Sequence, residues 1–160
     1  MDQTSIFDML YSKFKITKPI RLIEFFAGYG SQALALKYLG VSFEHWKICE
    51  WAIKSIQAYK DIHFDNIDVE FNETRTKDEM INFLYRIGIS SNYNEPMTKN
   101  QISRLNETAL KNIIKNIGIT HNLVNIQQVK GKDLEIVDLD KFTYLLTYLL
   151  LSMSRFKFSW

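Results

Sequence analysis

Several features that this sequence lacks limit the kinds of protein and of binding site that it can form. Its single cysteine, Cys49, excludes an internal disulfide, and since no signal peptide is visible the expected compartment is the cytoplasm. The apolar run from Tyr144 to Leu151 is too short to span a bilayer, so no membrane is expected as a partner. The net charge of +2 is too small to predict nucleic-acid binding. The three histidines lack ligand spacing, so no metal site is expected.

What the chain does contain is enough apolar sequence for one folded domain. Of its 160 residues, 46% are hydrophobic and 24% are charged, which is typical of soluble globular proteins. A chain of this length can bury a substantial core. We therefore expect residues 1–160 to form a single domain.

The most informative stretch is RLIEFFAGYGSQ, which covers residues 21–32. The apolar residues from Leu22 to Phe26 predict a short strand buried on both faces, interrupted only by Glu24. Gly28 and Gly30 allow positive φ angles and close approach of the backbone to a ligand. A strand, a glycine turn and a helix N-terminus together form the usual cofactor cradle of α/β folds, although a Gly-x-Gly sequence is also typical of a simple tight turn.

Strands and helices alternate through the first part of the chain. Ser5 to Phe14 has helical spacing. Ser31 is placed to cap a helix that ends near Leu39-Gly40. Phe43 to Glu50 predicts a second strand, and Ala52 to Tyr59 predicts another helix. The order β-α-β-α predicts a parallel sheet with helices on its faces.

Residues 71–122 are expected to be a helical insertion packed beside the sheet. Helical periodicity is found over Lys77 to Ile87 and over Glu107 to Ile117, and Thr98 is placed to cap a short helix through Arg104. The sheet is expected to resume with strands over Leu123 to Val129 and over Phe142 to Leu150.

An acidic residue follows the glycines by about twenty positions, where a ribose-binding carboxylate is required. That residue is Glu50, at the end of the second predicted strand. The alternative for Glu50 is a solvated residue at a strand end. Trp51 beside it would either stack on a base or cover the edge of the sheet.

Three motifs, each at the end of a predicted strand, resemble those of DNA (cytosine-5) methyltransferases in the same order. They are Phe26-Ala-Gly-Tyr-Gly30, Cys49-Glu-Trp51 and Gly131-Lys-Asp-Leu134. The resemblance covers nearly the whole chain, although residues 71–122 are longer than the matching part of compact family members. It implies an α/β fold of the partial Rossmann-like, S-adenosylmethionine-dependent type, with about four mostly parallel strands. Small-molecule methyltransferases are a weaker match, because they usually lack this pairing of motifs.

The resemblance also implies a site for S-adenosylmethionine. Phe26 would contact the adenine and Trp51 would stack on it, while Glu50 would hold the ribose hydroxyls. Asp133 would bond the exocyclic amine of the adenine, and the glycine turn would approach the methionine part. The implied site consists of Phe26, Ala27, Gly28, Tyr29, Gly30, Ser31, Glu50, Trp51, Asp133 and Leu134. Ser31 departs from the glycine that the family often has at this position.

The chemistry of the family needs a nucleophile that this sequence lacks. In the family, a cysteine thiolate adds to cytosine C6, and the target base is flipped out of the duplex to reach it. That cysteine belongs to a Pro-Cys-Gln loop directly after the fourth strand. Here residues 149–160 (LLLSMSRFKFSW) contain neither proline nor cysteine. Cys49 cannot substitute, because it lies in the second strand, where a small buried apolar residue is expected. We therefore assign no catalytic residue.

The final residues suggest why the loop is missing. Residues 152–160 can be encoded as TCC ATG TCA AGA TTT AAG TTT AGC TGG. Read one nucleotide later, that string encodes Pro-Cys-Gln-Asp-Leu-Ser-Leu-Ala. We therefore expect a frame shift at the fourth strand, which leaves a truncated methyltransferase without activity of its own. DNA is the partner of the full-length family.

An exposed fourth strand would create a second possible role for the chain. In the family this strand lies beside the first, in the middle of the sheet, so truncation would turn it into an open edge that recruits partners or self-associates. The alternation of Phe156, Phe158 and Trp160 with polar residues could extend that strand. The alternative function is therefore an interaction module, which would complement another half-enzyme or inhibit another protein.

Overall fold

The computed structural model of the protein describes residues 17–65 and 70–148. Over these ranges the fold is α/β, consistent with a partial Rossmann-like fold. The helix predicted over Ser5 to Phe14 lies outside the described residues. So do residues 149–160, on which the expectations of a shifted frame and an extended last strand depend.

The described elements follow the predicted alternation of strands and helices. In chain order they are β1 (Ile20–Phe25), α1 (Ser31–Tyr38), β2 (Phe43–Cys49), α2 (Ile53–His63), α3 (Lys77–Ile87), α4 (Lys99–Ser103), α5 (Glu107–Ile119) and β3 (Thr143–Tyr148). Two short 3-10 helices, Ile126–Gln128 and Gly131–Leu134, lie between α5 and β3. The β-α-β-α order of the first half is thus confirmed, and so are the three helices predicted within residues 71–122.

The described strands form one parallel sheet with the order β2-β1-β3. Ile20 is aligned with Phe43 on one side and with Thr143 on the other, so both neighbours of β1 begin at the same level. The expected pairing of the last strand with the first is therefore confirmed. Within the described sheet β3 is an edge, and its Leu146 is 50% exposed. Self-association through this edge stays a prediction.

The strand predicted over Leu123 to Val129 is wrong. Asn122 forms only a single-residue bridge to Ile48 of β2, and the Leu123 N–H donates to the Ile48 carbonyl at 2.8 Å. Val124 then adopts a left-handed φ of 63°, which turns the chain away from the extended path of a strand. The Asn122 side chain bonds the backbone of Glu50 instead, so a side-chain amide replaces the ladder that a fourth strand would have continued.

Capping residues in the local sequence define the start of α3 and of α4, and a glycine defines the end of α3. Thr76 and Glu79 form a capping box at the start of α3, and Gly88 ends the helix with a φ of 74°. Thr98 and Gln101 form a second capping box at α4, which confirms the Thr98 cap. That residues 71–122 are an insertion relative to the family stays a prediction.

A hydrophobic core joins these helices to the α/β unit. Met80 and Leu84 of α3 and Leu110 of α5 are fully buried together with Ile56 of α2. Trp51, which precedes α2, and Ile53, its first residue, pack against the same cluster. The helical region is thus fixed to the segment that directly follows β2. In the described ranges, no helix combines the length and the apolarity needed to cross a membrane.

Candidate cofactor-binding site

The glycine turn after β1 is closed by backbone hydrogen bonds and contains two left-handed glycines. The Gly30 N–H donates to the Ala27 carbonyl at 2.7 Å, and the Ala27 N–H donates to the Cys49 carbonyl of β2 at 3.3 Å. Gly28 has a φ of 56°, and a Cβ added there would meet nothing within 4 Å. Gly30 has a φ of 81°, and a Cβ there would lie 2.2 Å from Nε2 of His63. Gly28 therefore borders open space, whereas Gly30 is required by both its backbone and its surroundings.

The predicted Ser31 cap is wrong. α1 already begins at Ser31, with left-handed Gly30 at the N-cap position and no side-chain hydrogen bond at that cap. The Ser31 hydroxyl donates to the side-chain oxygen of Gln32 instead. The partner of the helix comes from β1, because Oε1 of Glu24 accepts the Ala33 N–H at 3.2 Å. The carboxylate of Glu24, nine residues before Ala33, thus accepts a hydrogen bond from the first turn of the helix, as was expected of the Ser31 hydroxyl.

Glu24 is fully buried and held by several donors. Its relative exposure is 0%, and the Tyr59 hydroxyl donates to Oε2 at 2.5 Å. Burial raises the pKa of Glu24, while the donors from Tyr59 and from the first turn of α1 act in the opposite direction. The polar interruption that the sequence shows in β1 is therefore an internal partner for the N-terminus of α1.

A polar network that the sequence did not reveal continues beneath the turn. The Tyr59 oxygen lies 2.8 Å from Nδ1 of His45, and Nε2 of His63 lies 2.9 Å from the Tyr29 carbonyl oxygen. The Lys37 ammonium lies 3.2 Å from Nδ1 of His63. Burial, followed by the neighbouring His63 and Lys37, lowers the pKa of His45 to about 3. Tyr59 and His63 are four residues apart on α2, and that helical spacing was the only signal in the sequence that could have suggested their pairing.

Glu50 lies directly after β2 and links the glycine turn to the residue that precedes α2. Its Oε2 accepts the Gly28 N–H at 2.9 Å, and its Oε1 accepts the Ala52 N–H at 2.8 Å. The residue is only 8% exposed, which excludes the alternative of a solvated side chain at a strand end. Burial raises the pKa of Glu50, opposed by these backbone donors. The carboxylate is thus fixed between the glycine turn and the start of α2.

Asn122 holds the backbone of Glu50 from the other side. Its Oδ1 accepts the Glu50 N–H at 3.1 Å, and its Nδ2 donates to the Glu50 carbonyl at 2.8 Å. The same Oδ1 accepts the Val124 N–H at 2.8 Å. Both the backbone and the carboxylate of Glu50 are therefore fixed, and Asn122 is a contributor to the site that sequence reasoning missed.

Cys49 is not available as a nucleophile. It is 3% exposed, and its thiol donates to the Val124 carbonyl at 3.3 Å. Burial, together with the charge of Glu50, raises the pKa of the Cys49 thiol to about 12. A thiol of this kind is protonated at neutral pH and inert. The expectation of a small buried residue is confirmed.

Comparison with known proteins gives two relatives. The chain is 30% identical over 138 residues to the orphan methyltransferase M.SssI of Spiroplasma monobiae, an alignment that covers 82% of the chain and 34% of the relative. It is 33% identical over 127 residues to the type II methyltransferase M2.ScrFI of Lactococcus lactis subsp. cremoris, covering 78% and 34%. The chain belongs to the DNA methyltransferase family. It spans about a third of the length of these relatives. No protein-family model matches it.

In this chain, the aromatic residues of the expected adenine site lie in the glycine turn and directly after Glu50. Phe26 is half-buried and has a left-handed φ of 55°. Trp51 is half-buried too, and its carbonyl accepts the Ser90 N–H at 2.8 Å. Tyr29, in the middle of the turn, is 58% exposed. Contact of Phe26 or Trp51 with an adenine stays a prediction.

Asp133 forms a local hydrogen bond, and Leu134 contacts the middle of β2. Both lie in a 3-10 helix, in which Oδ2 of Asp133 accepts the Lys130 N–H at 2.8 Å. The Leu134 carbonyl accepts the indole N–H of Trp46, which lies within β2. The expected position at the end of a strand is wrong, because residues 123–129 do not form one. The proposed bond from Asp133 to an adenine stays a prediction.

A cleft of about 340 Å³ lies outside the predicted site. It is bordered by residues 71–73 and by the face of α5 that carries Lys111 and Lys115. The carboxylate of Glu73 in this cleft is already bound by Arg75 through two nitrogens, at 2.7 and 2.8 Å. We therefore base the candidate site on Gly28, Gly30 and Glu50.

Proposed function

We propose that this chain is the S-adenosylmethionine-binding part of a DNA (cytosine-5) methyltransferase. The observation that carries the proposal is the link between Glu50 and Gly28 at the ends of the two adjacent strands β2 and β1. A carboxylate at this place accepts hydrogen bonds from ribose hydroxyls in nucleotide-binding α/β folds. The open space above Gly28 leaves room for a ligand beside that carboxylate.

The surroundings of α1 favour a cofactor without phosphates. In dinucleotide-binding folds the N-terminus of the first helix binds a pyrophosphate through its free N–H groups. Here the buried Glu24 already accepts the Ala33 N–H, so this donor is not free to bind a phosphate. S-adenosylmethionine has no phosphate, so it does not need the helix N–H group that Glu24 occupies. Its ribose hydroxyls can donate hydrogen bonds to Glu50.

We assign the parts of the cofactor to the residues as follows. Glu50 holds the ribose hydroxyls, Phe26 and Trp51 contact the adenine, and the turn from Gly28 to Gly30 lies beside the methionine part. When bound, S-adenosylmethionine supplies an electrophilic methyl group. The protein's own contribution at this site is to bind and orient the cofactor.

We further propose that these 160 residues alone transfer no methyl group to DNA. The reaction at cytosine C5 needs a thiolate nucleophile, and the only thiol in the sequence is the buried Cys49. DNA is then the substrate of a complete enzyme that contains the additional regions of the family.

Calorimetric titration of the purified chain with S-adenosylmethionine tests the proposal. The wild type should bind, and Glu50→Gln should bind about 10- to 100-fold more weakly, since hydrogen bonds to a charged acceptor contribute about 1.5–3 kcal/mol. Glu107→Gln is the matched control, because that exposed carboxylate pairs with Lys111 on α5 and should leave binding unchanged. Absence of binding by the wild type, or equal binding by Glu50→Gln at an unchanged melting temperature, would show that the proposal is wrong.

A further inference from the structure

The imidazole of His63 lies directly beneath the glycine turn. Its Nε2 is 2.9 Å from the Tyr29 carbonyl oxygen, and it occupies the space that a Cβ on Gly30 would need. We propose that His63 is a positioning residue for the cofactor site, which fixes the peptide between Tyr29 and Gly30 in the orientation that binds S-adenosylmethionine. The inference rests on the proposed function, because it concerns the same site.

The neighbours of the imidazole define its tautomer. The Lys37 ammonium can only donate, so Nδ1, which lies 3.2 Å from it, accepts. The Tyr29 carbonyl can only accept, so Nε2 carries the hydrogen and donates. Both contacts are satisfied by one form of neutral imidazole, in which Lys37 donates to His63 and His63 donates to the turn.

The peptide between Tyr29 and Gly30 is held at both of its polar atoms. The Tyr29 carbonyl accepts from His63, and the Gly30 N–H donates to the Ala27 carbonyl at 2.7 Å. On the other side of the turn the Gly28 N–H donates to Glu50. His63 from the end of α2 and Glu50 from the end of β2 therefore hold opposite sides of one four-residue turn.

The imidazole is itself fixed by packing. Its ring centroid lies 4.5 Å from that of Tyr59 and 4.9 Å from that of His45. Tyr59 is held in turn by the buried Glu24. A side chain that lacked a donor at the position of Nε2 would leave the Tyr29 carbonyl without this partner and the turn free to rotate about its two glycines.

Two amide substitutions separate positioning from packing. His63→Gln places an amide nitrogen near the position of Nε2, whereas His63→Asn reaches only the position of Nδ1. We expect His63→Gln to bind S-adenosylmethionine within about threefold of the wild type. We expect His63→Asn to bind about tenfold more weakly, as for the loss of one hydrogen bond to the backbone. Equal affinities of the two variants would overturn the inference.

A second measurement decides the inference if a His63 variant does not fold or if the wild type does not bind. Long-range ¹⁵N–¹H spectra of the wild-type imidazole should show the hydrogen on Nε2, and Lys37→Met should shift mainly the Nδ1 resonance. A spectrum with the hydrogen on Nδ1 would overturn the inference independently of any cofactor. Failure of the wild type to bind S-adenosylmethionine, with the Nε2–H tautomer present, would instead contradict the proposed function.

Discussion

Replacing Asn122 by alanine removes three hydrogen bonds at once from the segment that follows α5. The side chain is only 9% exposed and bonds the N–H and carbonyl of Glu50 and the N–H of Val124, at 2.8–3.1 Å. Each buried backbone group left without a partner costs about 1–3 kcal/mol, and water that enters the space left by the side chain would recover part of that loss. We therefore expect Asn122→Ala to lower the free energy of unfolding by about 2–4 kcal/mol.

Urea denaturation followed by circular dichroism measures this loss, and two further variants show its origin. Asn112→Ala is the matched control, because Asn112 is exposed on α5, and it should change stability by less than about 0.5 kcal/mol. Asn122→Asp keeps the acceptor for Glu50 and Val124 but loses the donor and adds a charge beside the Glu50 carboxylate. It should therefore be at least as destabilising as alanine. A loss below about 1 kcal/mol for Asn122→Ala would refute the view that this amide replaces the missing strand ladder.

Three other changes test neighbouring parts of the structure. Gly30→Ala places a Cβ 2.2 Å from His63 at a φ of 81°, so it should cost more than about 3 kcal/mol in urea denaturation, and a near-neutral result would contradict the described turn. The pKa of His45 is lowered from 6.5 to about 3, so the unfolded chain binds more protons than the folded one between these values. Stability should therefore fall as the pH is lowered from 6.5 towards 3, and His45→Asn should show a smaller fall, whereas equal slopes would exclude His45 as the cause. Cys49, with a pKa raised to about 12, should resist a thiol reagent in the folded protein and react in urea, and rapid reaction of the native protein would show that it is not buried.

Elements with strong local signals were predicted well. The predicted bounds of α3, Lys77 to Ile87, match the structure, because a capping box at Thr76 and a left-handed glycine at position 88 define both ends within the local sequence. β1 followed from a short apolar run, β2 was predicted over Phe43 to Glu50, and the parallel pairing of the two followed from the alternation with helices. Glu50 was predicted correctly at the end of β2, because it directly follows the last residue of that strand, Cys49, in the sequence.

The errors arise where a distant residue supplies the decisive contact. Ser31 fits the local pattern of a cap, but Glu24 of β1 reaches the N–H groups of α1 from below, and no pattern around Ser31 reveals that contact. Leu123 to Val129 has the composition of a strand, but Asn122 bonds the backbone of Glu50 and Val124 turns away. His63 was set aside because it lacks ligand spacing, although its partner is a backbone carbonyl. Such tertiary contacts cannot be found from the periodicity of a single sequence.

A titration of the ¹⁵N-labelled chain with S-adenosylmethionine, followed residue by residue in amide spectra, tests most directly whether the cofactor binds at the glycine turn. The largest shifts should occur at the amides of Gly28, Gly30 and Glu50 and at the indole N–H of Trp51. Gly118, on α5, should remain unshifted as an internal reference. A spectrum without changes, or with changes confined to the cleft beside Lys111 and Lys115, would contradict the assignment of this turn as the cofactor site.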